Sequence, residues 1–342
     1  MKRNNKIIAV VHLLFLAAII VLSVLHSYGL KFGRFEKYIR MLRKSRKNID
    51  KDNTSTNSNH SKKSNVPSLD YGTGNMFDLI ATRYDFVNRL LALNMDMSWR
   101  RTMVQELGLL PGDKVLDLAT GTADVAILIA TEGLLAVDVD DSNACANSNE
   151  DQVCSNVGEK RSTSVEVLGL DPSQNMIAVG KEKVKALGLD DLVRLDIADA
   201  RALSGVKDSS FDKATMSFGI RNVPEREKVL CEIHRVLKKN DNSKMAILEF
   251  SEPGEESGIM GFGARLFIRH VVPVIGALFS GAPTEYLHLQ NSIKHFPSPS
   301  EFNALIANVK CGKGKKKSGG FHVEPVINMN FGSVQLYQAS PF

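Results

Sequence analysis

Five residues carry chemistry that can be read directly from this chain: Asp117, Gly121, Asp124, Asp171 and Asp199. The stretch "VLDLATGTADVAI", residues 115–127, places the first three. An apolar run ends in Asp117, a turn of small residues holds Gly121, and a second apolar series follows. That order predicts a strand, a tight loop and a helix, a turn that cradles nucleotide-like cofactors. A nicotinamide or flavin fingerprint needs G-x-G-x-x-G. The frame from Ala119 reads Ala-Thr-Gly-Thr-Ala-Asp and keeps only Gly121. Asp124, at the start of the helix, opposes the phosphate that a helix N-terminus otherwise attracts. It does not oppose a cation. The pattern Asp-x-small-x-Gly therefore points to S-adenosylmethionine, a sulfonium with an amino-acid tail. Asp117 can meet its ammonium, directly or through water, and Gly121 lets the backbone come close.

An acid at the end of the second strand can accept both ribose hydroxyls. Asp171 in "VEVLGLDPS" fits, yet it lies 50 residues after Gly121. Residues 139–164 are polar and without periodicity. Taken as a 26-residue insertion, they leave a usual spacing of 24. A further strand ends in "LDIADA", where Asp199 can accept from an adenine amino group and the Ala200 N–H can donate to a ring nitrogen.

These residues need a scaffold. The spacing predicts strands over 114–118, 165–170, 192–196, 212–217 and 244–250, and helices over 123–130, 174–187 and 225–237. Alternating strands and helices imply an α/β, doubly wound, Rossmann-like sheet with right-handed connections. Residues 326–329 and 333–337 read as an edge hairpin. Ahead of the first strand, "MFDLIATRYDFVNRLLALNMDMSWRRTMVQEL" reads as one long helix with Phe77, Ile80, Tyr84, Val87, Leu90 and Leu91 on one side.

The chain of 342 residues is 43% hydrophobic and 24% charged, as expected for a mostly globular protein. Its net charge of +5 is uneven. Residues 31–63 hold eleven Lys/Arg against three Asp/Glu, which leaves a slightly acidic remainder and argues against nucleic-acid binding. Residues 7–25 are apolar and follow Lys2, Arg3 and Lys6, so residues 1–30 read as a signal peptide or signal anchor. Residues 31–70 read as a disordered, basic, Ser/Asn-rich, transit-like linker. Together they favour a plastid reached by two-step import, with a tether to a membrane as the other reading. Residues 71–342 form the folded domain. Residues 310–319, "KCGKGKKKSG", read as a second loop insertion, without the spacing of a phosphate-binding P-loop. The four cysteines, Cys145, Cys154, Cys231 and Cys311, form no C-x-x-C pair and predict neither a metal site nor a disulfide framework.

Four motifs carry a resemblance to the ubiquinone/menaquinone biosynthesis C-methyltransferase family: "YDFVNRLLALNMDMSWRR" (84–101), "LDLATGTADVA" (116–126), "SFGIRNVPEREKVLCEIHRVLK" (217–238) and "LEFSEP" (248–253). A weaker fifth is "YLHLQNSIKHFPSPSEF" (286–302). The resemblance implies a class I S-adenosylmethionine-dependent methyltransferase fold and methylation of a ring carbon on a polyprenylated quinol. By motif it implies that Thr122 faces the cofactor, that Asp171 binds ribose, that Asp199 and Ala200 hold adenine, and that Ser217 opens the substrate-side loop. The family's Pro-Gly-Gly after "RVLK" is absent here, where the chain reads "RVLKKNDNSK".

The transfer needs a phenolate and something to stabilise it. Arg221, with Asn222 beside it, is the expected stabiliser, acting through an ordered water because arginine is too basic to accept the proton itself. Tyr84 and Asp85 are candidates for closing the pocket, and His270 and His288 for bases. The apolar stretch 260–281 suits a lid that touches a membrane surface and admits the prenyl tail. "GTAD" favours a demethylmenaquinol or demethylphylloquinol acceptor. The alternatives are a methoxy-polyprenyl-benzoquinol acceptor, with a mitochondrial location, and a non-catalytic scaffold in a quinone-synthesising complex. A homo-oligomer is a further possible partner.

Overall fold

Five apolar segments, KVLDL, EVLGLD, VRLDI, KATMS and KMAILEF, form the parallel part of one sheet in the computed structural model. The structure describes residues 85, 88, 89, 92, 94–145, 164–253, 258–266, 268, 291–312 and 319–342. The expected anchor, linker, Tyr84, His270, His288 and most of the 260–281 stretch lie outside them. The strands are β1 (Lys114–Leu118), β2 (Glu166–Asp171), β3 (Val193–Ile197), β4 (Lys213–Ser217) and β5 (Lys244–Phe250). Three more follow: β6 (Phe321–Val323), β7 (Ile327–Met329) and β8 (Val334–Pro341). The order is β3-β2-β1-β4-β5-β8-β6, with β7 also paired to β8. Strands β1 to β5 run parallel, and β8 runs antiparallel to β5, β6 and β7.

Helices cover both faces, so the strands need apolar residues on both. Helices α1 (Asp96–Leu107), α2 (Asp124–Cys145) and α3 (Gln174–Ala186) share one core with Val115, Ala246 and Leu248. Helices α4 (Arg226–Val236) and α6 (Pro299–Asn308) share the other with Leu116, Leu118 and Ile247. The two-residue alternation between the cores follows the pleat. Helix α5 (Gly258–Leu266) lies against the 330–332 turn.

Four expectations are corrected. The single long helix ahead of β1 is interrupted, because Asn94 adopts a left-handed φ of 62° just before α1. Helix α2 runs on to Cys145, so the first residues of the 139–164 insertion are helical. No Gly or Pro between Leu134 and Cys145 stops it. Residues 327–329 and 334–336 do pair as an antiparallel hairpin, but the second strand is not at the edge: β8 is inserted between β5 and the short pair β6 and β7. Periodicity finds strands but not their neighbours. Finally, Cys231 on α4 and Cys311 after α6 form a disulfide with Cα atoms 5.0 Å apart. They are 80 residues apart, and only the packing of α6 against α4 brings them together. Cys311 also bridges Gly319 through paired backbone hydrogen bonds of 2.8 and 3.1 Å, which closes the neck of the second insertion.

Candidate active site

The turn after β1 alternates in hand. Ala119, Gly121 and Ala123 have φ of 50°, 56° and 68°. Left-handed geometry costs an alanine roughly 1–2 kcal/mol, so the turn must be held from outside. Two carboxylates hold it. Asp117 accepts from the Thr120 hydroxyl at 2.6 Å and from the Thr215 hydroxyl of β4 at 2.7 Å. Asp171 accepts from the Gly121 N–H and the Ser173 N–H, each at 2.9 Å. The Thr120 N–H donates to the Leu170 carbonyl at 3.1 Å.

Burial pushes the Asp117 carboxyl up to about 6, against the two threonine hydroxyls and Arg100, which favour its charged form. Its carboxylate faces its hydroxyl partners, behind the turn, and is not part of the cleft wall. Thr122 is likewise turned away: its hydroxyl donates to Asp85 at 2.7 Å and accepts from Lys183 at 3.2 Å.

A cleft of about 680 Å³, counted with the solvent in its mouth, opens at the carboxyl edge of the sheet. Its walls include Ala119, Gly121, Asp171, Asp199, Ala200, Met216, Ser217, Phe218, Gly219 and Asn222. A Cβ on Gly121 would meet no atom within 4 Å, so the space over this glycine belongs to the cleft. A Cβ on Gly219 would lie 2.6 Å from the Ala119 Cβ, so only glycine lets the two loops meet there. Among the described residues the lining holds two carboxylates and no lysine or arginine. That opposes a dinucleotide phosphate at the Gly121 turn.

Asp199 is engaged by its neighbour. Burial alone would raise its carboxyl, but the side chain and N–H of Arg201 hold it below its ordinary range. The guanidinium contacts both oxygens, at 2.6 to 3.0 Å. Ser217 and Asn222 line the cleft as the motif implies. Arg221 does not. Its Nη1 donates to Glu249 Oε1 and to the Phe218 carbonyl, both at 2.6 Å, and its side chain is 5% exposed. Where the sequence aims its charge at a phenolate, the fold neutralises that charge with Glu249. Asn222, the next residue, is the one that reaches the cleft.

Sequence reasoning missed the ion cluster beside the turn. Asp124, at the start of α2, accepts from Lys183 at 2.6 Å, Arg89 at 2.8 Å and Arg100 at 3.0 Å. Burial would raise its carboxyl, but Arg100, Lys183 and Arg89 hold it low. Asp96 pairs with Arg89 and Arg100, and Asp85 with Lys183 at 3.0 Å. Three acids and three bases thus tie Asp85 and Arg89 to α1, α2 and α3. The available signal lay in α1, where Asp96 and Arg100 share the helical face of Met103 and Leu107. Charges at core positions imply buried partners.

The doubly wound sheet with its antiparallel β8, and the acidic cleft at its carboxyl edge, define a class I S-adenosylmethionine-dependent methyltransferase. The profile of the ubiE/COQ5 methyltransferase family matches residues 66–323. The chain belongs to that family and is a C-methyltransferase. It is 37% identical over 236 residues to the ubiquinone/menaquinone biosynthesis C-methyltransferase UbiE of Geotalea uraniireducens, covering 68% of this chain and 85% of that one. It is 35% identical over 233 residues to the demethylmenaquinone methyltransferase of Thermus thermophilus, covering 68% and 89%. Among solved structures, it is similar to a SAM-dependent methyltransferase from Aquifex aeolicus, with a TM-score of 0.45 and 18% identity over 75% of this chain and 96% of that one.

Proposed function

We propose that the chain methylates a ring carbon of a polyprenylated quinol, with a demethylnaphthoquinol of the menaquinone or phylloquinone type as acceptor. The observation that carries this is the carboxyl end of β4. There Ser217, Phe218, Gly219 and Asn222 of the family motif form one wall of the cofactor cleft. A ring presented along that wall lies beside the cofactor rather than beneath the sheet. Bound S-adenosylmethionine supplies an electrophilic methyl group. Asp171 and Gly121 would hold its ribose side, and Asp199 and Ala200 its adenine side. Asn222 donates to the acceptor's oxygen as its hydroxyl proton passes to water, holding the phenolate whose ring carbon is the nucleophile. Arg221, clamped by Glu249, fixes the backbone that carries Asn222. The ring proton leaves to water after transfer.

The relatives named for demethylmenaquinone support the naphthoquinol reading. Those named for both quinones keep a methoxy-polyprenyl-benzoquinol as the second reading. The hydrophobic and then basic N-terminus supports delivery to a membrane-bounded organelle, a plastid before a mitochondrion. The test uses the full chain in detergent with labelled S-adenosylmethionine and both reduced acceptors. Label in the naphthoquinol is expected. Label only in the benzoquinol moves the chain to ubiquinone synthesis. Label in neither, with cofactor bound, leaves a scaffold role.

A further inference from the structure

We propose that Arg100 is a positioning residue for methyl transfer, holding Ser217 and the Phe218 ring at the acceptor end of the cleft. The inference rests on the methyltransferase reading above. Arg100 reaches the cleft wall from behind, out of the WRR segment of α1. Its side chain is 8% exposed. Nη1 donates to Asp96 Oδ2 and Asp124 Oδ2, each at 3.0 Å. Nε points to Ser217 Oγ at 3.5 Å, and the guanidinium carbon stands 5.5 Å from the centre of the Phe218 ring.

Both targets line the cleft. Phe218 also needs bracing. Its φ is 57°, a left-handed conformation that is costly for a bulky residue and persists only where its surroundings fix it. Its N–H donates to the Leu248 carbonyl at 2.8 Å. Its ring stacks on Phe250 at 4.4 Å and meets the edge of Trp99 at 6.3 Å. The Arg100 guanidinium is a further neighbour of the ring. The kink at Phe218 turns the chain from β4 into the segment that carries Asn222. A guanidinium suits the place because its planar fork serves two acids through Nη1 while Nε stays free for Ser217. Lysine can satisfy the acids but not Ser217 in the same geometry.

The test compares wild type, Arg100→Lys, Ser217→Ala and the double variant in full-length protein. The readouts are kcat, the S-adenosylmethionine Kd and the urea midpoint. Arg100→Lys keeps the charge that Asp96 and Asp124 require, so the fold is expected to hold. Its kcat is expected to fall about tenfold to a hundredfold, as misplacement near 1 Å does, with Kd changed less than about threefold. The double variant is expected to be no slower than the slower single variant, because both act on one contact. An Arg100→Lys protein with wild-type kcat overturns the inference. So does a loss confined to Kd or to the urea midpoint, or one that multiplies with that of Ser217→Ala. A wild-type chain that binds cofactor but methylates neither quinol overturns the functional reading and this inference with it.

Discussion

Arg221 Nη1 and Glu249 Oε1 lie 2.6 Å apart with both side chains sealed from solvent. Glu249 also accepts from the Arg221 N–H at 3.1 Å and the Phe250 N–H at 2.8 Å. One carboxylate therefore ties the end of β5 to the motif that follows β4. Glu249→Ala leaves a guanidinium buried without its charge partner and is expected to cost about 3–5 kcal/mol. Urea unfolding checks this. A loss under about 1 kcal/mol would mean that Arg221 is not held by this pair and is available to the cleft.

Asp171 holds the turn and, in the proposed reading, the cofactor's ribose as well. Asparagine at 171 offers one carbonyl where two oxygens now accept Gly121 and Ser173. Asp171→Asn is expected to weaken S-adenosylmethionine binding about tenfold to a hundredfold, the value of a hydrogen bond to a charged group. Calorimetric titration reads the affinity. An unchanged Kd would remove Asp171 from the cofactor site.

Asp117 makes stability depend on pH in an unusual direction. Its folded value of about 6 lies above the ordinary 3.8. Below about pH 4, folded and unfolded chains both keep the proton. Between about 4 and 6 the unfolded chain releases it first, so this group's contribution to stability falls by up to about 3 kcal/mol and is constant above. Asp117→Asn lacks that fall. Unfolding free energies from pH 4 to 7 should shift by about that amount in the variant's favour. A constant difference between the two proteins would show that Asp117 is not shifted.

The Cys231–Cys311 bond closes a long loop across α4 and α6. Reducing it, or Cys231→Ser, is expected to lower stability by about 2–4 kcal/mol. Reductant should then have no further effect on the serine variant. Two free thiols at these positions in oxidising buffer would show that the bond does not form.

Much of the scaffold is legible along the chain because it is written in local patterns. Strands β1 and β5 are found to the residue, and β2, β3, β4, α3 and α4 to within one. The missing phosphate-binding glycines already argue against a dinucleotide, since backbone reach is a property of residue type, whereas the charge of Asp124 is taken up by Lys183, Arg89 and Arg100 rather than offered to a cofactor. The break at Asn94 and the extension of α2 escape the same reading, because helix continuity depends on single backbone angles and on neighbours that periodicity does not name.

The sequence by itself determined the strand–helix alternation, the acids at the strand ends and the glycine that opens the cleft. Each follows from nearby residues and from the two-residue and 3.6-residue periods. Only the tertiary structure decided that Arg221 faces Glu249 and that Asp117 and Thr122 turn behind the loop. It alone decided that β8 enters the sheet, that Cys231 meets Cys311, and that Arg100 reaches Ser217 from 117 residues away. These are choices of partner. A charge or hydroxyl removed from water takes whichever complementary group the packing brings within about 3 Å, and that distance is set by the whole fold.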